Sequence, residues 1–365
     1  MPTSAAIAEA ARLLAASRAP VIAGLGTDIA GARAALLLAD RLGASIDHMH
    51  SATLLRDLDV MRESGLVLTT PGEARRRGDV VLLVGDDLAE SLADVWPDLD
   101  LAAPPRPTKA PERRVLRLAS GNSGAEGIDD GLRTPTARAD AIDGAGASLS
   151  QLVAALRARA NGRPVRMPAP LVDTMDGFAK ILKSAKFGIA VWSAAELDTL
   201  AIEMLCGLIR DLNARTRFAG LPLPPGYNAF GVLQACGWMT GYPMRTTFAR
   251  GFPEHDPWRF DAVRLVDSGE ADCAMWISSY GAEKPQWRRD IPLIALSSED
   301  ALSPPGAQVQ IAVGRPGVDH AGAHFCAKAG TLAHFAAQHE TGLPSVAAVL
   351  AQICNALDGI GKSPC

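Results

Sequence analysis

The feature of this 365-residue sequence that most restricts its fold is a series of short, uninterrupted apolar runs, each bounded by glycine, proline, aspartate or serine. They read PVIAGL (20–25), DVVLLVGDD (79–87), RRVLRLA (113–119), FGIAVWSA (187–194), DCAMWISS (272–279), IPLIALSS (291–298) and VQIAVG (309–314). A strand with one wet face alternates apolar and polar residues, whereas an unbroken run marks a strand covered on both faces. Parallel sheets flanked by helices are built from such strands. Between the runs lie stretches with helical spacing of Ala and Leu, such as GARAALLLADRLGA (31–44) and the segment from Glu196 to Ala214. The expected class is α/β, and an aromatic content of only 5% fits helices on a sheet better than an all-β sandwich.

The order strand, helix, strand occurs twice. The runs of the first third are expected to form one parallel sheet, with a Pro-rich surface loop from Ala102 to Pro111. A Gly/Asp/Ala-rich connector, about Gly121 to Ser148, and a helix ending near Asn161-Gly162 follow, and then the pattern returns. Right-handed crossovers make both halves Rossmann-like, doubly wound units stacked in sequence. The expected division is 1–165 and 166–365, with the boundary at RPVRMPAP (163–170) and a motif loop at 226–279 in the second unit.

Charge and composition exclude several classes. The 36 Lys and Arg against 40 Asp and Glu leave no electrostatic footprint for nucleic acid. No stretch of 18 consecutive apolar residues is present, so no membrane partner is expected, and the N-terminus reads as an amphipathic helix rather than a signal peptide. Six widely spaced cysteines without a C-x-x-C pair are expected as reduced thiols, which points to the cytoplasm. There is no G-x-S-x-G elbow and no phosphate-binding G-x-x-x-x-G-K-[ST] loop.

The remaining motifs are weaker. Gly24, Gly26 and Gly31 lie between a strand and a helix, with Asp47 about where a ribose-binding acid would stand, but G-x-G-x4-G is not the dinucleotide spacing. Glycines that only turn the chain are expected; similar strings in central domains of thiamine-diphosphate enzymes make such a domain an alternative. His48 and His50 alternate just after a strand, where side chains could face a cleft, and are expected as surface or interface histidines. Asp319, His320, His324 and Cys326 contain an i, i+4 His pair, but Gly322 interrupts any helix there and no H-E-x-x-H glutamate is present, so a partly buried loop or helix start is expected rather than a metal site. Lys180, Lys183 and Lys186 are expected on a solvated helix face.

The most distinctive stretch is GYNAFGVLQACGWMTGYPMRTTFARGFPEHDPWRFDAVRLVDSGEADCAMWISS (226–279). Its recurring Gly and Pro forbid one long regular element, and packing of Tyr242, Phe248, Phe252 and Trp258 is expected to hold it. Through Asn228, Gly231, Trp238, Thr240-Gly241-Tyr242-Pro243, Phe248-Ala249-Arg250-Gly251-Phe252-Pro253, Pro257 and Gly269-Glu270-Ala271-Asp272, it resembles the B-type subunit of formylmethanofuran dehydrogenase, a branch of the molybdopterin oxidoreductases. It is more similar still to the corresponding subunit of the bacterial formyltransferase/hydrolase complex. Weaker similarity runs from about residue 6 to about 350.

The departures from that pattern shape what the resemblance implies. Active members carry a cysteine-rich segment for a [4Fe-4S] cluster, and this chain has no cysteine before Cys206. They also place a cysteine or selenocysteine on tungsten or molybdenum shortly after the first unit's second strand, where ASIDHMHSATLLRDLD (44–59) offers Ser51, Ala52, Thr53 and Leu54, with Thr53 as the equivalent position. The resemblance thus implies a degenerate molybdopterin-oxidoreductase-like architecture, with no catalytic residue, metal ligand or cofactor of its own. Its implied partners are a formyltransferase subunit, an amidohydrolase-like hydrolase subunit and one further subunit. Its implied setting is one-carbon transfer between tetrahydromethanopterin and methylofuran, followed by hydrolysis to formate. Methylofuran carries a glutamate tail, and the cationic run Arg245, Arg250, Arg259, Arg264, Lys284, Arg288 and Arg289 suits carboxylates. Arg245, Arg250, Lys284, Arg288, Arg289 and Asn228 are the candidate carrier-binding residues. A functional dehydrogenase subunit is the other alternative.

Overall fold

The computed structural model describes residues 4–95, 113–120, 139–143, 146–298, 304, 306–339 and 341–360. The Pro-rich stretch 102–111 and most of the connector expected at 121–148 lie outside them. The chain forms two compact units, and neither is continuous in sequence. Unit 1 comprises 1–52, 226–325 and 332–365; unit 2 comprises 53–225 and 326–331.

Unit 1 contains α1 (Ser4–Ala16), β1 (Pro20–Gly26), α2 (Ile29–Leu42) and β2 (Ser45–Ile46) from the N-terminal segment. Its later elements are α9 (Ala229–Thr240), β8 (Thr246–Thr247), β9 (Glu254–His255), α10 (Ala262–Asp267), β10 (Cys273–Ser278), β11 (Leu293–Ser297), β12 (Val309–Ala312), β13 (Gly322–Cys326), β14 (Thr331–Phe335) and α11 (Val346–Asp358). Seven strands form one sheet in the order β12-β11-β10-β1-β2-β8-β9, parallel from β12 to β2 and antiparallel at β8 and β9. The alternation of strand side chains divides the core into two layers. Ile22, Met275, Ile277, Ile294 and Leu296 pack with residues of α1, α2, α9 and α11, whereas Val21, Ala23, Ala274, Trp276 and Leu293 pack with Ala262, Leu265 and Val266 of α10.

Unit 2 contains α3 (Ser51–Ser64, which starts in unit 1), α4 (Pro71–Arg77), β3 (Val80–Val84), α5 (Ala89–Val95), β4 (Arg114–Ala119), β5 (Ala139–Asp143), α6 (Leu149–Ala160), α7 (Ala169–Ser184), β6 (Gly188–Trp192), α8 (Thr199–Asn213) and β7 (Phe218–Pro222). Its five strands run parallel in the order β5-β4-β3-β6-β7. One face packs on α6, α7 and α8; the other packs on α4 and α5.

All seven apolar runs are strands, and the α/β class stands. The sequential division at residue 165 does not. β1 pairs with β10, more than 240 residues later, while β3 pairs with β6 across the expected boundary. The runs of the first third therefore enter two different sheets. The physical reason is that an unbroken apolar run reports burial on both faces and carries nothing about which neighbour completes its ladder.

Candidate functional site

The site is built where β1 and β2 end, on the α10 face of the unit 1 sheet. Within β1, Ala23 pairs with Trp276 and Gly26 with Ser278, so the chain bulges over Gly24 and Leu25, both at positive φ. Leu25, Tyr227, Asn228 and Arg245 are the non-glycine residues at positive φ among the described residues, and all four lie in unit 1. Strained backbone of this kind persists only where its surroundings enforce it. A cavity of about 390 Å³ opens beside the bulge, lined by Gly24, Asp47, His50, Arg245, Trp276 and Trp287 among others.

Asp47 follows β2, and its backbone N–H donates to Ile22 O at 3.1 Å. Its side chain is buried: Oδ2 accepts from the Ala262 N–H at 3.0 Å and lies 3.6 Å from Arg245 Nε. Oδ1 has no partner of hydrogen-bonding geometry, and neither has Arg245 Nε. Burial pushes the Asp47 carboxyl up to about 6, although Arg245, the Ser51 hydroxyl and the Ala262 N–H all favour its charged form. Arg245 is held mainly elsewhere, 2.5 Å from Asp261 Oδ2 and donating to Pro257 O at 2.5 Å. His48 is fully enclosed: its Nδ1 accepts from the His50 N–H at 3.0 Å, so Nε2 carries the proton toward Tyr227 O at 3.2 Å. Burial holds His48 down at about 3 and lowers His50 as well, so both rings are neutral at pH 7.

The opposite wall is aromatic. Trp276 and Trp287 meet edge to face, 5.6 Å apart at 84°, and Trp276 Nε1 donates to Glu283 O at 2.8 Å, which fixes the loop after β10 against the sheet. Lys284, Glu283 and Gln286 line the cavity from that loop.

Of the candidate carrier-binding residues, Arg245 and Lys284 line the cavity and the other four do not. Arg245 faces two carboxylates inside the cavity wall and is not free for a tail. Arg250 is exposed and bound through Nε to Glu254 Oε2 at 2.7 Å; Arg264 forks onto Glu270. Asn228 is spent on backbone, donating to Thr27 O at 2.7 Å and accepting from the Phe325 N–H at 2.8 Å. Lys284, Arg288 and Arg289 are exposed and form no ion pair among the described residues. Of the four aromatics expected to pin the motif loop, only Phe248 is buried; Tyr242, Phe252 and Trp258 are exposed. His324 lies on strand β13, stacked 4.0 Å from Phe335, and not at a helix start. Asp261, Trp276 and Trp287 are not distinguished by any local motif: they reach the cavity from the N-cap of α10, from β10 and from the loop after β10.

Gly24 and Gly31 serve packing. A Cβ on Gly24 would lie 2.6 Å from Ile277 O, and one on Gly31 would meet the side chains of Thr27 and of Asp28, which caps α2. In the segment where the resemblance implies a metal-binding thiol in active dehydrogenases, Ser51 is buried with its hydroxyl accepting from the His48 N–H at 3.1 Å. Thr53 is half-buried, and no thiol is present. The residues there do not fit a thiolate-held tungsten or molybdenum.

Fold and site define a two-unit α/β protein with a ligand-sized cavity at the carboxyl ends of parallel strands. No family model matches the chain. It is 36% identical over 344 residues to the B-type subunit of the formyltransferase/hydrolase complex Fhc of Methylorubrum extorquens, covering 93% of this chain and 90% of the relative. It is 27% identical over 345 residues to the B-type subunit of tungsten-containing formylmethanofuran dehydrogenase 2 of Methanocaldococcus jannaschii, covering 88% and 75%. A chain in the crystal structure of the Methylorubrum extorquens formyltransferase/hydrolase complex with methylofuran superposes with a TM-score of 0.86 at 34% identity, covering 100% of this chain and 98% of that one. The chain belongs to the family of B-type subunits of the formyltransferase/hydrolase complex, related to the B-type subunits of formylmethanofuran dehydrogenase. The thiamine-diphosphate alternative falls with that assignment.

Proposed function

We propose that this chain is the B-type subunit of a cytoplasmic formyltransferase/hydrolase complex in methylofuran- and tetrahydromethanopterin-dependent one-carbon metabolism, with formyl transfer and hydrolysis carried out by its partners. The observation that carries the reading is end-to-end similarity to a subunit of such a complex, in sequence and in fold. Two features support it. Helix α9, AFGVLQACGWMT, is apolar nearly all round yet leaves Trp238 and Met239 exposed, and Tyr242, Phe252 and Trp258 follow within twenty residues. A helix of that composition is built for burial, and exposed aromatics gathered in one stretch are what a protein interface presents. The absence of a thiol from Ser51 to Leu54 supports loss of the redox function. The parallel sheet of unit 2 and the mostly parallel sheet of unit 1 support descent from Rossmann-like, molybdopterin-oxidoreductase-type units. Lys284, Arg288 and Arg289, rather than Arg245, Arg250 or Asn228, would receive the carrier's glutamate tail.

Coexpression with the formyltransferase, hydrolase and remaining subunits, followed by affinity purification and elemental analysis, tests the reading. One stoichiometric assembly without tungsten, molybdenum or iron on this chain is expected. A monomer that ignores its partners, or near-unit tungsten or molybdenum on this chain, overturns it.

A further inference from the structure

We infer that the cavity between Asp47, Trp276 and Trp287 receives a planar aromatic or heteroaromatic ring bearing a protonated primary amine. Three observations converge on that chemistry. The lining carries Asp47, Asp261 and Glu283 against Arg245 and Lys284, and both histidines are neutral, so one negative charge is in excess. Asp47 Oδ1 is buried without a partner, and a buried carboxylate oxygen left unbonded is destabilising until a donor reaches it. The facing wall is a pair of perpendicular indoles, which offer a ring one stacking surface and one edge and attract a cation through their faces. The cavity is at the small end of the range that holds drug-sized ligands, about 300–1,000 Å³.

The polarity is directional. Asp47 and Asp261 line the interior beside the strand ends, whereas Lys284 is exposed, and Arg288 and Arg289 continue the same loop into solvent. A ligand with its amine inward and anionic substituents outward satisfies both ends. The bulge at Gly24 and Leu25 and the positive φ of Arg245 hold strained backbone around this cavity, as expected where geometry has been kept for a ligand.

The inference deepens the proposed function and rests on it only for the ligand's identity. A carrier that holds its formyl group as an amide regains a free, protonated amine when the amide is hydrolysed. The cavity would then hold the carrier between rounds, in its unformylated state, and disfavour the formylated one, whose uncharged amide lacks the cation and has fewer N–H donors for Asp47.

The test uses the assembled complex, prepared free of carrier, with furfurylamine, N-formylfurfurylamine and furfuryl alcohol as probes in isothermal titration calorimetry. The partners' active sites can also take these probes, so the readout is the site lost on changing this chain. Asp47→Asn should remove one furfurylamine site per B-type chain or weaken it by about tenfold or more, the size of a charge-assisted hydrogen bond, and Trp287→Phe, separately, should weaken the same site by roughly two- to fivefold, with circular dichroism and assembly unchanged. N-formylfurfurylamine and furfuryl alcohol should show no site sensitive to either substitution. Equal binding of amine and formamide at that site, or no site sensitive to either substitution, overturns the inference. Failure of the chain to copurify, with furfurylamine binding still sensitive to Asp47, would overturn the proposed function and leave this site standing.

Discussion

Replacing Gly24 with Ala separates a glycine kept for packing from one kept for close approach of a nucleotide. The φ of +81° at Gly24 costs an L-residue roughly 1–2 kcal/mol. The new methyl would also lie 2.6 Å from Ile277 O and 3.0 Å from Trp276 Cδ2, and the first of these atoms is backbone in the neighbouring strand. β1 and β10 must separate to admit it, an overpacking cost of about 1–3 kcal/mol. Alanine's smaller unfolded-state entropy returns about 0.4–1 kcal/mol, so the net loss is about 1–5 kcal/mol. Gly26 is the control. Its nearest contacts are the side-chain atoms Tyr227 Cδ1 at 3.2 Å and Met49 Cε at 3.3 Å, which can give way, so Gly26→Ala should change stability by less than about 1 kcal/mol. Equilibrium urea unfolding of the subunit measures both, with hydrogen exchange at β1 and β10 in the assembly as a second readout. A Gly24→Ala loss below about 0.5 kcal/mol, or equal losses at the two positions, would refute the packing account.

Two further outcomes follow from the site. Asp47 titrates at about 6 when folded against an ordinary 3.8, so the folded chain holds that proton more tightly and the stabilisation it gives at acid pH is lost as pH rises from about 4 through 6. The loss approaches about 3 kcal/mol; Asp47→Asn should therefore gain on the wild type by up to that amount between pH 4 and 8, and parallel stability curves would contradict the burial argument. The triple change Lys284→Ala, Arg288→Ala, Arg289→Ala should lower the carrier content of the purified complex, by less as salt is raised because screening weakens the same pairs in the wild type, while Arg250→Ala alone should not; full retention by the triple variant would remove the tail from this loop.

How far the sequence could be read depended on whether the signal was local. DVVLLVGDD announced β3 because every side chain from Val80 to Val84 is buried, and a strand enclosed on both faces cannot hide its composition. β2, β8 and β9 have two residues each and no pattern to find, yet Ile46 pairs with Ile22 on one side and Thr246 on the other, and these short strands set Asp47 and Arg245 in the cavity wall. The partition into two interleaved units was invisible for the same reason: the pairing of Ala23 with Trp276 is a long-range choice made by packing. The cavity inherits that difficulty, because its acid, its guanidinium and its indoles come from four separate stretches of chain.

The cationic run shows the limit in chemical terms. From Arg245 to Arg289 there are seven Lys and Arg, and the same stretch holds seven acids: Glu254, Asp256, Asp261, Asp267, Glu270, Asp272 and Glu283. Counting the first set alone gives an anion-binding patch; counting both gives a neutral segment whose function depends on which charges find each other. Folding joins Arg250 to Glu254, Arg264 to Glu270 and Arg245 to Asp261, each pair within sixteen residues. The Arg245 pair is the most enclosed, with side chains 16% and 23% exposed, and there the cost of removing charge from water is met only by close pairing. Lys284, Arg288 and Arg289 form no such pair among the described residues, although Glu283 and Asp290 adjoin them in sequence. The pairing of acids with arginines thus decides which cations remain for a polyanion, and it leaves Lys284, Arg288 and Arg289 on the loop after β10, beside a cavity whose own charge is negative.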